Sequence, residues 1–355
     1  MSSVQHAAVI LVLSMMAAVG GCGAVILDPP EKEITEVEPN DDFAQAQVLT
    51  TQPVASGLIE GTLSDSGDVD VYDIGAIEAG QKINIYWKTE TCDLSESVTI
   101  ALFDEDDEIA RLARGTGCSL NASRVFSQYL FKTGRYYLAV AYTDQIGRDP
   151  VDYTLRFTID KAAFIPKHQT VYLNFHGDQD VYVAGLSIAM LAPFSDVFGD
   201  LRAEELADWI VDSVRADYQG LDVDILSSYE QQTPSGDFTT VHVAGTRSDN
   251  DYYGLADSID WYNEEPDDNA IVFGSAFDYP SWSDAEIAQA VANVVSHEMG
   301  HLLGLIHTED NAELMDRITP SYLLIEDQEF GRAPLSDFPI GWQDALELLQ
   351  YILGV

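Results

Sequence analysis

His297, His301 and His307 stand in the run His297-Glu298-Met299-Gly300-His301-Leu302-Leu303-Gly304-Leu305-Ile306-His307, which reads H-E-x-x-H-x-x-G-x-x-H. Each residue of an α-helix advances by about 100°, so two histidines four apart share one face and can grip one ion. Glu298 follows the first ligand and can lean over the same face toward a water on that ion. Gly304 can take a backbone conformation that side chains forbid, so it can stop the helix and turn the chain. The turn returns His307 as a third nitrogen ligand. Three protein ligands leave one tetrahedral position open, and that separates a catalytic zinc from a structural one. The pattern takes three of only seven histidines in 355 residues and fixes a Glu and a Gly as well. It is far more specific than H-E-x-x-H alone. The bland alternative is an amphipathic helix with ordinary surface histidines.

These residues resemble the motif of the metzincin zinc peptidases. In that family a turn with a methionine beneath the metal follows the long motif. The resemblance implies that Met315, in Ala312-Glu313-Leu314-Met315-Asp316, is that methionine. Read by itself, Met315 is a core side chain filling a gap. Where some branches carry a tyrosine two residues after the methionine, this chain has Arg317.

Helices and strands must position this centre, and 355 residues suffice for two domains. Ser283 and Glu286 form a capping box that opens a helix running through Ile287, Val291, Val294 and Val295 into the motif. Upstream, Thr170–Phe175 reads as a strand, and Ala203–Tyr218 as a helix with Leu206, Trp209, Ile210 and Val214 at helical spacing. Asp222–Leu226, Thr239–Ala244 and Ala270–Phe273 read as further strands, and a last helix is expected near Gly341–Leu353. That order matches the upper half of a metzincin, so the resemblance covers about residues 168–355. The segment Ala270–Phe277 is the expected edge strand for an extended peptide.

Residues 36–160 alternate apolar and polar side chains in Lys82–Trp87, Val98–Phe103, Tyr136–Tyr142 and Tyr153–Ile159, with Gly/Asp turns between them. A period of two indicates short antiparallel strands in a sandwich. The E-x-E-P-N-D run from Glu36, the G-D-x-D-x-Y step at Gly67–Tyr72 and the strand from Gly134 to Leu138 resemble the bacterial pre-peptidase C-terminal domain, a small β-sandwich attached to secreted peptidases. Here it precedes the catalytic part. The expected fold class is therefore α+β and multidomain. An N-terminal antiparallel β-sandwich is followed by a metzincin-like α/β catalytic domain with a mixed twisted sheet and an active-site helix.

Cys22 ends Val19-Gly20-Gly21-Cys22 after an apolar run from Ala7. This resembles a bacterial lipoprotein signal, with residues 1–21 removed and Cys22 lipidated. The run is too short for an ordinary membrane span. Residues 22–35, with Pro29 and Pro30, read as a tether. An exported chain in a bacterial envelope meets oxidising conditions, so Cys92 and Cys118 are expected to pair.

Lys+Arg number 17 against 60 Asp+Glu, a formal charge of −43. Such a field repels nucleic acid and anionic lipid, leaving a lipid anchor as the one expected membrane contact. It suits divalent cations. The run Asp104–Glu108 could bind calcium through oxygen ligands, although such a run is more often a solvated turn, and the metzincin resemblance permits a structural calcium in the loop Asp249–Asn269 without placing its ligands. His168, His176 and His242 read as surface or strand histidines. The expected activity is zinc-dependent hydrolysis of a protein or peptide substrate with Glu298 as general base. The alternatives are a zinc hydrolase of a non-protein amide and a binding lipoprotein with a vestigial catalytic domain.

Overall fold

The computed structural model describes residues 33–49, 55–89, 98–115, 124–142, 149–246, 252–317 and 319–355. Cys22, Cys92 and Cys118, and with them the lipidation and disulfide expectations, lie outside the described residues. The described chain is mixed α+β and multidomain, with several sheets and few helices. None of its helices is long and apolar enough to cross a membrane.

Ten strands form the front unit: β1 (Glu33–Thr35), β2 (Gln47–Val48), β3 (Ser56–Leu63), β4 (Val69–Ile77), β5 (Gln81–Thr89), β6 (Val98–Asp104), β7 (Ile109–Gly115), β8 (Arg124–Leu130), β9 (Gly134–Tyr142) and β10 (Val151–Lys161). They make two five-stranded sheets, ordered β1-β3-β10-β5-β8 and β2-β4-β9-β6-β7. Alternate side chains of β10 (Val151, Tyr153, Leu155 and Phe157) point into one core with Ile100, Leu138 and Val140 of the other sheet. Two departures from the expected antiparallel sandwich stand out. Both β1 and β2 pair parallel to their neighbours, and β1 lies within the stretch read as a tether.

The second departure concerns burial. Every residue of β6 is buried. Val98, Ile100 and Leu102 fill the sandwich core, whereas Ala101 and Phe103 join a different core with Val69, Val71, Ala139 and Ala141. That second core runs on without a break into the C-terminal unit. This sheet of the sandwich is thus covered on its outward face around Val69, Val71, Ala101, Ala139 and Ala141 as well as on its inner one.

The C-terminal unit begins with β11 (Gln169–Asn174), the hairpin β12 (Asp178–Val183) and β13 (Leu186–Leu191), and α1 (Ser195–Phe198). It continues through α2 (Asp200–Asp217), β14 (Val223–Ser227), β15 (Thr239–Val243), β16 (Gly254–Ala256), β17 (Asn269–Val272) and α3 (Asp284–Leu302). The hairpin β18 (Arg332–Pro334) and β19 (Trp342–Asp344) leads into α4 (Ala345–Leu353). The sheet order is β14-β11-β15-β17-β16, parallel except for β16. Helices α2 and α3 cover one face and share the large core with Leu173, Val241, Val243 and Val272. The β12–β13 hairpin covers the other, packing Val181, Val183 and Leu191 on Ile271 and Phe273. Ser283 and Glu286 cap α3 reciprocally, as their spacing predicts.

Candidate metal centre

Helix α3 carries His297 and His301 in its last two turns, with Met299, Gly300 and Leu302 buried around them. The helix ends at Leu302, and Gly304 follows at φ 91°. A side chain there would meet the Asp260 carbonyl and the Trp261 Cα, each 3.2 Å from an ideal Cβ, in addition to the strained backbone. The turn brings His307 back over the helix. His301 Nε2 lies 3.1 Å from His297 Nε2 and 3.1 Å from His307 Nε2.

Hydrogen bonding fixes which ring nitrogen carries the proton. His297 Nδ1 lies 2.7 Å from the Leu314 carbonyl oxygen and His301 Nδ1 lies 2.9 Å from that of Leu305. Carbonyls only accept, so each Nδ1 is the donor and each Nε2 keeps its lone pair. Lone pairs facing one another at 3.1 Å repel unless a cation lies between them. Two nitrogens on a tetrahedral zinc, each about 2.0–2.1 Å from it, are about 3.3–3.4 Å apart. The donor set, its spacing and its outward hydrogen bonds therefore fit a divalent transition metal. Burial first, then the neighbouring His307 ring, pushes the His297 pKa down to about 4 against a rise from the Leu314 carbonyl. Burial and the two flanking rings push His301 well below the ordinary histidine range. Neutral imidazoles are the form that binds metal.

Met315 is fully buried beneath this group. A Cβ on Gly300, a helix residue between His297 and His301, would sit 2.6 Å from its Sδ. The Met315 carbonyl accepts from Thr308 N at 2.8 Å, and Arg317 N donates to the Thr308 carbonyl at 3.1 Å. The methionine turn is thereby paired to the residue after His307. Buried Glu313 closes the turn, accepting from Thr308 Oγ1 at 2.6 Å and Met315 N at 2.8 Å.

Glu298 is 6% exposed and lies against β16. A Cβ on Gly254 would fall 2.4 Å from its Oε1. Burial raises the carboxyl to a pKa of about 8, opposed by a hydrogen bond with the Ala256 backbone. Glu298, His297, His307, Gly254 and Arg317 line a cleft of about 400 Å³. Its rim corrects the expectation for Ala270–Phe277. β17 is an inner strand hydrogen-bonded on both sides, and Gly274–Phe277 is a 3-10 helix. The edge is β16, three residues long, whose short Gly-Leu-Ala run carries too little periodicity to be legible as a strand.

Other residues at the site escaped sequence reasoning. Asp337 Oδ2 lies 3.6 Å from His307 Nδ1. Burial alone would raise the Asp337 carboxyl, but His307 and Arg317 outweigh it and hold it below the ordinary carboxylate value. Fully buried Gln343 clamps the peptide before His307, accepting from Ile306 N and donating to its carbonyl, each at 2.9 Å.

The acidic clusters fall into two kinds. Asp104, Asp106 and Glu108 do converge, but Lys132 Nζ lies among them, 2.8 Å from Asp104, 2.7 Å from Glu108 and 2.5 Å from Glu347. An ammonium occupies the place expected for calcium. In the loop Asp249–Asn269, Asp260 spends both carboxylate oxygens on the Glu264 and Glu265 amides. A third cluster joins the two motifs of the front unit. Carboxylate oxygens of Glu36, Glu38 and Asp70 converge, as do those of Glu38, Asp41 and Asp68. Asp70 is fully buried and its Oδ1 has no hydrogen-bond partner. Neighbouring Asn40 is fully buried with both side-chain polar atoms unpartnered. These clusters are compatible with bound cations. His168 pairs with Asp222, His176 packs on Tyr229 and His242 is buried beside Asn174, all away from the cleft.

No family model matches the chain, and no curated protein sequence matches it. Among solved structures, it is similar to archaemetzincin from Methanopyrus kandleri, at 13% identity and TM-score 0.30 over 53% of this chain and 97% of that one. It is similar to a zinc-dependent peptidase from Methanocorpusculum labreanum, at 12% identity and TM-score 0.28 over 50% and 99%. It is also similar to PliG of Aeromonas hydrophila, a periplasmic inhibitor of g-type lysozyme, at 14% identity and TM-score 0.23 over 37% and 99%. Overlaps of this extent carry no functional argument, which rests on the geometry of the site.

Proposed function

We propose that the protein is a zinc-dependent endopeptidase of metzincin-like arrangement, exported and held to a membrane through a lipid on Cys22. The observation that carries the reading is the convergence of three imidazole nitrogens beside a buried glutamate at the floor of an open cleft.

His297, His301 and His307 would hold the metal through Nε2. When bound, a zinc ion supplies a polarising charge that lowers the pKa of a water to about 7 and draws density from a carbonyl oxygen. Glu298, raised by burial, loses its proton more readily beside a dication, and so enters the reaction as a base. It accepts a proton from the attacking water at a carboxylate oxygen and hands it to the leaving amine. The β16 edge offers its backbone to an extended peptide, which would pair with it as an added strand. Leu314 and Asp337 keep the His297 and His307 rings turned inward throughout. In the front unit, calcium would replace the proton that buried Asp70 otherwise keeps.

Zinc content, casein digestion and the Glu298→Gln variant test the reading together. The wild type should carry one zinc and cleave casein only without chelator. Glu298→Gln should keep the zinc and lose about 10²- to 10⁴-fold in cleavage. A metal-free wild type, or a fully active Glu298→Gln, sinks it. Turnover of amide and ester panels without casein cleavage would move the substrate class away from protein.

A further inference from the structure

The hairpin β18–β19 touches two things at once. Toward the metal centre, Ser336 N donates to the His307 carbonyl at 3.1 Å, Asp337 faces the His307 ring, and Gln343 clamps Ile306. Toward the front unit, the contacts come from other residues of the same hairpin, two of them immediate chain neighbours of those residues. Phe338, next to Asp337, packs on Phe103 with ring centroids 5.7 Å apart. Gly341 lies so close to Phe103 that a Cβ would fall 2.2 Å from its Cε1. Trp342, next to Gln343, donates its amide to the Asp107 carbonyl at 3.0 Å. Arg332, at the base of the hairpin, donates to Glu108 Oε1 and to the Asp106 carbonyl, each at 3.0 Å.

We infer that the front β-sandwich is an intramolecular brace of the metal centre: through Phe103 and the β6–β7 turn it sets the hairpin that positions His307. This inference rests on the zinc reading above. His297 and His301 need no such help, because α3 fixes both. His307 sits beyond the helix on a segment with no periodic structure of its own. The Met315 turn holds the chain just after it through Thr308, and Ser336, Asp337 and Gln343 hold His307 from the other side, on a hairpin that packs on one aromatic of the sandwich and the turn beside it. A rigid centre requires that its supporting contacts be rigid. Phe103 is fully buried and meets both Phe338, next to Asp337, and Gly341, so it is the positioning residue.

The test uses the full chain and three variants: Phe103→Ala, the milder Phe338→Leu, and His307→Ala. Zinc affinity is read by competition with a chromogenic chelator, and geometry by the visible absorption of the cobalt(II) form. Circular dichroism confirms folding. Both aromatic variants should lower zinc affinity by about 10- to 100-fold, the range for lost outer contacts to a ligand, and change the cobalt spectrum. In a His307→Ala background, Phe103→Ala should change affinity by less than about twofold, because the ligand it positions is gone. Should Phe103→Ala fail to fold, Phe338→Leu carries the same comparison. Unchanged affinity and cobalt spectrum in a folded variant overturn the brace, as does an undiminished effect in the His307→Ala background. A wild type that binds no zinc instead sinks the metal reading on which the brace depends.

Discussion

Gly254 and Glu298 touch across the gap between the edge strand β16 and helix α3: an ideal Cβ at 254 would lie 2.4 Å from Glu298 Oε1 and 2.7 Å from its Cγ. The strand can rest on the carboxylate only because residue 254 has no side chain. Gly254→Ala should therefore push either β16 or Glu298 aside. Misplacing a reacting group by about 1 Å costs about 10²-fold, so kcat/KM for a peptide should fall by that order with zinc content unchanged. Steady-state kinetics with metal analysis checks this; full activity in the variant would show that Glu298 has room to spare.

Stability in chelator should depend on pH through the ligand rings. The His297 pKa is lowered from 6.5 to about 4 in the folded chain, so between those values the unfolded chain binds more protons. Stability is then present above about pH 6.5 and is lost as pH falls through 4. His301 acts in the same direction. Across pH 4–7 the acid-side loss from these rings is opposed by buried carboxyls such as Asp70 and Glu298, so it is read as a difference: the urea midpoint of His297→Ala should gain on that of the wild type as pH falls.

Met315 makes a separable contribution. It is wholly buried against Gly300, so Met315→Ala should cost about 2–5 kcal/mol of stability by opening a cavity under the ligands. Met315→Leu keeps the volume and should cost less than about 1.5 kcal/mol while retaining zinc. Thermal unfolding of the two holoproteins distinguishes this packing role from a direct effect on the metal, which would make Met315→Leu lose zinc as readily as Met315→Ala.

The carboxylates of the front unit yield a prediction of opposite sign. Burial, then hydrogen bonding with Glu36, raises the Asp70 carboxyl far above its ordinary 3.8. The folded chain keeps a proton that the unfolded chain has lost, so without a cation stability is full below about pH 4 and declines as pH rises. Calcium at about 100 times its Kd should add about 2.7 kcal/mol and flatten the decline. In Asp70→Asn the calcium response should disappear. A wild-type unfolding temperature indifferent to calcium at neutral pH would remove the site.

The parts of this architecture that were legible in the sequence are those set by local spacing. The four-residue step from His297 to His301, the Ser283/Glu286 box and the alternation in β10 each follow from the period of one element. What escaped was long-range. Asp337 lies thirty positions beyond His307, and nothing around it marks it as facing a ring. The acidic run Asp104–Glu108 looked like an ion site because its cation, Lys132, arrives from another turn of the chain. Ala101, Ala139 and Ala141 gave no sign of lying under a second unit, since small residues suit a strand face whether covered or bare.

The grip of Gln343 on Ile306 also has a meaning in time. A growing chain acquires all three histidines and the glutamate by residue 307, yet the side chain that pins the last of them is added thirty-six steps later. A chain that stops short of residue 343 would therefore hold all three histidines and the glutamate yet lack the clamp beside the third.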